Sequence, residues 1–231
     1  LFRSERIRSV LEESVQLRMM SDVPLGAFLS GGIDSGTVVT MMSKHSGDPV
    51  KTFSIGSGVD SHNELPDAQI VADRIQSDHH PTVVTPDVVH LLPELVKTYE
   101  EPYADPSAIP TYLISQFTSK HVKVALTGDG GDENFAGYVR YPILQFSRLW
   151  EKFRLVHPLV QGGTYLFHKA LRNTFSYRCH RFQSTMKLPW EQRFLQYISF
   201  FTEEEKRRLG SGSEFERTDE YYATLTESQR Q

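Results

Sequence analysis

Ser30-Gly31-Gly32-Ile33-Asp34-Ser35 stands between two apolar runs. Ahead of it, Val23-Pro24-Leu25-Gly26-Ala27-Phe28-Leu29 has the length of a buried strand; behind it, Thr37-Val38-Val39-Thr40-Met41-Met42 opens a buried helix. The predicted unit is a strand, a glycine turn and a helix. Two glycines permit a backbone geometry and a closeness of approach that side chains would block. The following helix aims its unsatisfied N–H groups and the positive end of its dipole at whatever sits over the turn, which suits an anion and above all a phosphate. Ser30 and Ser35 add hydroxyl donors. Asp34 would repel a phosphate unless a divalent cation lay between them.

Outward from this turn the chain alternates. Residues 3–19 carry Ile7, Val10, Leu11 and Ser14 or Val15 at helical spacing, an amphipathic helix expected to cover one sheet face. Val50-Lys51-Thr52-Phe53-Ser54-Ile55 reads as a second strand, 63–75 as a helix, and His80 to Val84 as a third strand. Val88, Leu91, Leu92, Leu95, Val96 and Tyr99 mark a helix expected to bend or restart at Pro93. A proline-rich loop over 101–110 leads to a helix near 111–120, a strand at 122–126, and a second glycine-rich loop, Thr127-Gly128-Asp129-Gly130-Gly131-Asp132-Glu133. Strands alternating with helices predict an α/β fold, a parallel sheet with helices on both faces, whose ligand sits beyond the carboxyl ends of the strands. Both glycine loops follow a strand and can face one crevice. Beyond Tyr141 aromatic and basic residues take over, with helix-like segments at 143–154, 158–172, 190–198, 203–209 and 217–229. The expected division is an α/β domain over 1–141 and a helical part over 142–231.

The 231 residues can bury a sizeable core, and 39% hydrophobic with 23% charged residues is ordinary for a soluble globular chain. A net charge of −4 argues against a protein built to grip nucleic acid. The single cysteine, Cys179, excludes an internal disulfide and a multi-cysteine metal site. No apolar run reaches membrane-spanning length, and the expected location is the cytoplasm. His79-His80 lacks a third ligand at metal-binding spacing. Phe182, Phe194, Tyr197, Phe200 and Phe201 read as core or interface residues, and Lys206, Arg207 and Arg208 as a solvated helix face.

Neither glycine loop is a GxxxxGK[ST] or GxGxxG motif, and Ser30 lacks the GxSxG frame of a hydrolase elbow. SGGIDS after a strand, FSIG, EPYADPSAIPTYLIS and LTGDGGDENFAGYVRY, in that order, closely resemble the synthetase domain of glutamine-dependent asparagine synthetases. The first motif alone resembles the wider family of ATP pyrophosphatases, whose pyrophosphate loop (PP-loop) is this strand, turn and helix. The resemblance runs from about Arg6 to Tyr141 and continues weakly beyond.

The resemblance implies ATP and Mg²⁺ as cofactors and a reaction in which aspartate and ATP form β-aspartyl-AMP and ammonia then displaces AMP. Ser30, Gly31, Gly32, Asp34 and Ser35 match the pyrophosphate loop, and Phe28 and Ile55 match positions that meet the base through backbone groups. Thr127, Gly128 and Asp129 match the segment around the acyl-adenylate. Asp34 and Asp132 match the metal ligands, with Asp129 and Asp132 in catalytic positions. The family often has glutamate where Asp129 stands. A glutaminase domain with an N-terminal cysteine, and a lysine in a KxDRxSMxxxxExRxPFLD segment, are also implied; neither is in these residues. The expectation is a synthetase piece of a longer polypeptide that binds ATP and catalyses little alone, its ammonia coming from a glutaminase domain elsewhere. A homodimer of the parent enzyme is compatible with it. Other adenylating amidotransferases of β-lactam synthetase type, a tRNA-modifying pyrophosphatase and a non-catalytic nucleotide-binding module remain alternatives.

Overall fold

The computed structural model describes residues 2–57, 63–85, 88–101, 103, 105–151, 182, 185–186, 188–199 and 201. The chain divides into two compact units, Leu1–Phe135 and Ala136–Gln231. In the first, α1 (Phe2–Arg18) precedes β1 (Leu25–Phe28), α2 (Ile33–His45), β2 (Lys51–Ser57), α3 (Leu65–Ile75), β3 (Asp78–Val84), α4 (Val88–Tyr99), α5 (Ala108–Thr118), β4 (Val124–Leu126) and the short α6 (Gly131–Phe135). All strand pairs are parallel, in the order β3-β2-β1-β4. The parallel α/β fold read from the alternation of elements is therefore present.

The order has a functional consequence. From β1 the chain moves outward through β2 to β3, then returns to place β4 on the other side of β1. β1 and β4 thus flank the topological switch point, the place where such sheets bind ligands beyond the strand ends. The two glycine-rich loops are the segments that leave these two strands.

Two layers hold the sheet. Val15 of α1, Val39, Met41 and Met42 of α2, and Ala68 and Ala72 of α3 form one buried cluster with Ala27, Leu29 and Val50. Burying a side chain of valine or methionine size contributes about 2 kcal/mol. At alternate strand positions the other face is used: Phe53, fully buried, packs edge-on to Phe117 of α5 with ring centroids 6.1 Å apart and stacks on His80 at 5.2 Å. The polar positions between are satisfied: Thr52 Oγ1 bonds Ser77 Oγ at 3.0 Å and His79 Nδ1 at 2.9 Å, and Ser54 Oγ donates to the Leu29 carbonyl. His79 has its pKa lowered by burial first and by neighbouring His80 second.

Several elements differ from the periodicity reading. Only the C-terminal half of α1 is packed: Val15 is buried, whereas Ile7 and Val10 remain 46% and 48% exposed. Its tie to α2 is partly polar, a hydrogen bond between Glu12 Oε1 and His45 Nε2 at 3.0 Å. α4 is one helix with Pro93 inside it rather than two. α5 begins at Ala108, within the proline-rich stretch, because Pro110 falls in its first turn, where a missing N–H removes no helical bond. Residues 131–135 are helical although the second glycine-rich stretch reads as loop throughout.

The second unit contains α7 (Arg140–Glu151) and α8 (Trp190–Ile198) among the described residues. They meet through stacked Tyr141 and Phe194, centroids 6.3 Å apart, and through buried Arg193, which reaches buried Ser147 Oγ at 3.5 Å and the Leu188 carbonyl at 3.0 Å. The helices expected at 158–172, 203–209 and 217–229, together with Cys179, Phe200 and residues 206–208, lie outside the described residues. Among the described residues no helix is long and apolar enough to cross a membrane.

Candidate functional site

The first loop is braced by its own serines. Leu29 N–H closes onto Phe53 O at 2.8 Å, which ends β1 against β2. Ser30 Oγ and Ser35 Oγ are 2.8 Å apart, Ser35 Oγ accepts the Ser30 N–H at 3.1 Å, and Ser30 Oγ accepts the Gly32 N–H at 3.1 Å. Ser35 is buried at 8% exposure, and its hydroxyl braces the loop. Gly31, Gly32 and Ile33 are exposed, Ile33 at 86%. Gly32 is the N-cap of α2 in extended conformation, which leaves the first-turn N–H groups of the helix without intrahelical acceptors.

The second loop folds back on itself. Thr127 Oγ1 donates to Asp129 Oδ2 at 2.8 Å, and Asn134 Nδ2 donates to the Gly130 carbonyl at 2.7 Å. Gly130 has φ +88°, a left-handed conformation that a side chain disfavours. The turn then enters α6, with half-buried Asp132 in its first turn.

The two loops touch, and glycines make the contact. A methyl group on Gly128 would lie 2.6 Å from Ser35 N and 2.9 Å from the Asp34 carbonyl carbon; one on Gly131 would lie 2.4–2.7 Å from the Asp34 carboxylate. Asp34, on α2, therefore reaches across to the start of α6. A cavity of about 580 Å³ opens beside this contact, lined by Asp34 and Thr37 of α2, Thr127 to Gly131, and apolar side chains such as Leu11, Val38 and Phe135. The fold thus brings together Asp34, Thr127, Gly128 and Asp129 around one cavity. Ser30, Gly31, Gly32, Phe28 and Ile55 do not line it; they mark the carboxyl ends of β1 and β2 beside it, with Phe28 and Ile55 half-buried.

The donor set suits a hard cation shared with phosphate. Among the described residues no three His, Cys, Asp or Glu side chains cluster closely enough for an all-protein metal cage. Mg²⁺ characteristically takes one or two carboxylates and fills its remaining positions with water and phosphate oxygens. Asp34 and Asp129 are the carboxylates that line the cavity, and Asp132, in the first turn of α6, is not among its lining residues.

Residues 6–229 match the family described as asparagine synthase. The chain belongs to the asparagine synthase family. It is 42% identical over 139 residues to a putative glutamine-hydrolysing asparagine synthetase 2 of Methanocaldococcus jannaschii, an alignment covering 59% of this chain and 27% of that protein. It is 39% identical over 138 residues to glutamine-hydrolysing asparagine synthetase 1 of Bacillus subtilis, covering 59% and 22%. The chain thus spans about a quarter of the length of these relatives. An NH3-dependent NAD synthetase of Campylobacter jejuni is similar over 58% of this chain and 60% of its own, with TM-score 0.40 and 16% identity.

Two features of the site escape sequence reading. Gly131 had no signal separating it from the other glycines of its loop, yet it is the one facing the Asp34 carboxylate. Asp67 of α3, which reads only as an acidic residue in a helix's first turn, packs against Gly31.

Proposed function

We propose that this asparagine synthase family chain carries the synthetase site of a glutamine-dependent asparagine synthetase, making β-aspartyl-AMP from ATP and aspartate. The supporting observation is the contact at the switch point: the pyrophosphate-type loop after β1 and the GDGGDE loop after β4 meet through Gly128 and Gly131 at Asp34. A carboxylate oxygen of aspartate attacks the α-phosphorus of ATP, the bond from that phosphorus to the bridging oxygen breaks, and pyrophosphate leaves. Ammonia then attacks the activated carbonyl, AMP departs, and the amide nitrogen loses a proton.

Each part has residues suited to it. The exposed backbone of Gly31 and Gly32 and the first turn of α2 offer N–H donors to the β and γ phosphates, where one such donor is worth about 3 kcal/mol in a transition state. Ser35 acts by holding that loop in shape, and Ser30 shares its hydroxyl between the loop and the ligand. Asp34 and Asp132 would hold Mg²⁺, which when bound neutralises charge on the leaving pyrophosphate. The backbone of Phe28 and Ile55 meets the base, and Thr127, Gly128 and Asp129 face the acyl-adenylate. In this reading ammonia comes from glutamine hydrolysed by a glutaminase domain; the relatives' names call those proteins glutamine-hydrolysing.

The test is exchange of labelled pyrophosphate into ATP by the full-length enzyme, measured with a panel of carboxylic acids. Stimulation by aspartate above the others is expected. Equal or greater stimulation by another acid would reassign the site to a different adenylating amidotransferase, and failure to bind either ATP or pyrophosphate would refute the reading.

A further inference from the structure

Asp67 lies against the phosphate loop with no part in the chemistry above. A methyl group on Gly31 would fall 2.5 Å from Asp67 Cβ and 3.3 Å from its Oδ2, so the side chain crosses directly over that glycine. Asp67 sits in the first turn of α3 and is solvent-exposed. A first-turn carboxylate is stabilised by its own helix dipole without any second contact. Placement against Gly31 adds a consequence for the loop: an anion seated over Gly31 and Gly32 meets a negative charge at its edge. The stretches 30–35, 63–67 and 127–133 hold Asp34, Glu64, Asp67, Asp129, Asp132 and Glu133 and neither Lys nor Arg, and the cation lining the adjoining cavity is Arg18 of α1, on the side of Asp34 and Asp129.

We propose that Asp67 is a specificity-determining residue of the loop, whose charge rejects polyphosphate that arrives without a divalent cation. The inference rests on the phosphate-loop reading of Ser30 to Ser35. Free pyrophosphate carries several negative charges, each repelled by the carboxylate across a partly aqueous gap; the metal complex carries far less net charge and is held. An Asp67→Asn change keeps the shape and removes the charge. At such separations and ordinary salt its removal strengthens binding of metal-free pyrophosphate by about tenfold and of the Mg²⁺ complex by less than about twofold. An acid that serves only its own helix would change stability and leave both affinities alone.

The experiment is calorimetric titration of the chain with inorganic pyrophosphate, in chelator and in excess Mg²⁺, at low and high salt. The parent and Asp67→Glu are expected to bind well only with Mg²⁺. Asp67→Asn is expected to gain the tenfold in chelator, and the gain should shrink at high salt. Thermal unfolding of each ligand-free variant verifies that it is folded. Parent binding with an unchanged chelator affinity in Asp67→Asn, or an equal change in both conditions, overturns this inference alone. Absence of pyrophosphate binding by every version in Mg²⁺ overturns the phosphate-loop reading together with it.

Discussion

Adding one methyl group at each of two glycines separates the structural from the chemical side of the loop contact. At Gly128 the new carbon would meet main chain, Ser35 N at 2.6 Å and the Asp34 carbonyl carbon at 2.9 Å. Ordinary contact begins near 3.4 Å, so the second loop must withdraw from α2 by about 0.8 Å, since the atoms met are main chain and not the end of a flexible side chain. Overpacking of this sort costs about 1–3 kcal/mol. For a chain of this size that is a fall of roughly 2–12 °C in Tm. At Gly131 the new carbon would meet the Asp34 carboxylate at 2.4–2.7 Å, and a side chain can rotate. Gly131→Ala is therefore expected to leave Tm within about 2 °C of the parent. Its effect falls on binding, because Asp34 must retreat by about 1 Å from the place where it would hold a cation. The assay is thermal unfolding of both variants, paired with titration of pyrophosphate in Mg²⁺. Gly128→Ala should lower Tm, and Gly131→Ala should lower affinity about tenfold or more at parental Tm. A parental Tm for Gly128→Ala would refute the loop contact from which the site is built.

Other outcomes follow from single residues. In the full-length enzyme, Asp34→Asn and Asp132→Asn should each abolish Mg²⁺-dependent ATP–pyrophosphate exchange without lowering Tm by more than about 2 °C; near-normal exchange would remove them as metal ligands. Ser35→Ala removes the acceptor for Ser30 N–H and its bond to Ser30 Oγ, and should cost about 1–3 kcal/mol, read as a loss of Tm with no change in the Mg²⁺ requirement. His79 has a folded-state pKa below its ordinary value of 6.5, so the unfolded chain takes up its proton first as pH falls. Stability should therefore decline as pH drops below about 6.5, and His79→Gln should flatten that decline; an unchanged profile would clear His79 of the effect.

Much of this arrangement is local and could be read along the chain. The strand ending at Phe28, the turn at Gly31-Gly32 and the helix after them are set by residues within about twenty positions of one another, and helical or strand periodicity records which side each buries. The same holds for α3, whose stripe of Ala68, Val71 and Ala72 faces the core. Where packing from a distance intervened, periodicity misled: Ile7 and Val10 continue the stripe of α1 yet stay half exposed, because the described chain packs only the far end of that helix. The residues of the two loops were legible as candidates, while their division of labour was not. Ser30 and Ser35 read as phosphate donors, and what the sequence does not carry is that their hydroxyls also bond each other and brace the loop.

The sequence by itself determined the class of fold, a parallel α/β sheet, and the two glycine loops at which an anion and a cation could meet, because turn chemistry and burial period are written in neighbouring residues. Only the tertiary structure decided the strand order that sets β4 beside β1, the approach of Gly128 and Gly131 to Asp34 across about a hundred residues of chain, and the placing of Asp67 over Gly31. These are contacts between elements whose own patterns are complete without each other. They exist because close packing of helices onto one sheet leaves room, at those points, for a glycine and nothing larger.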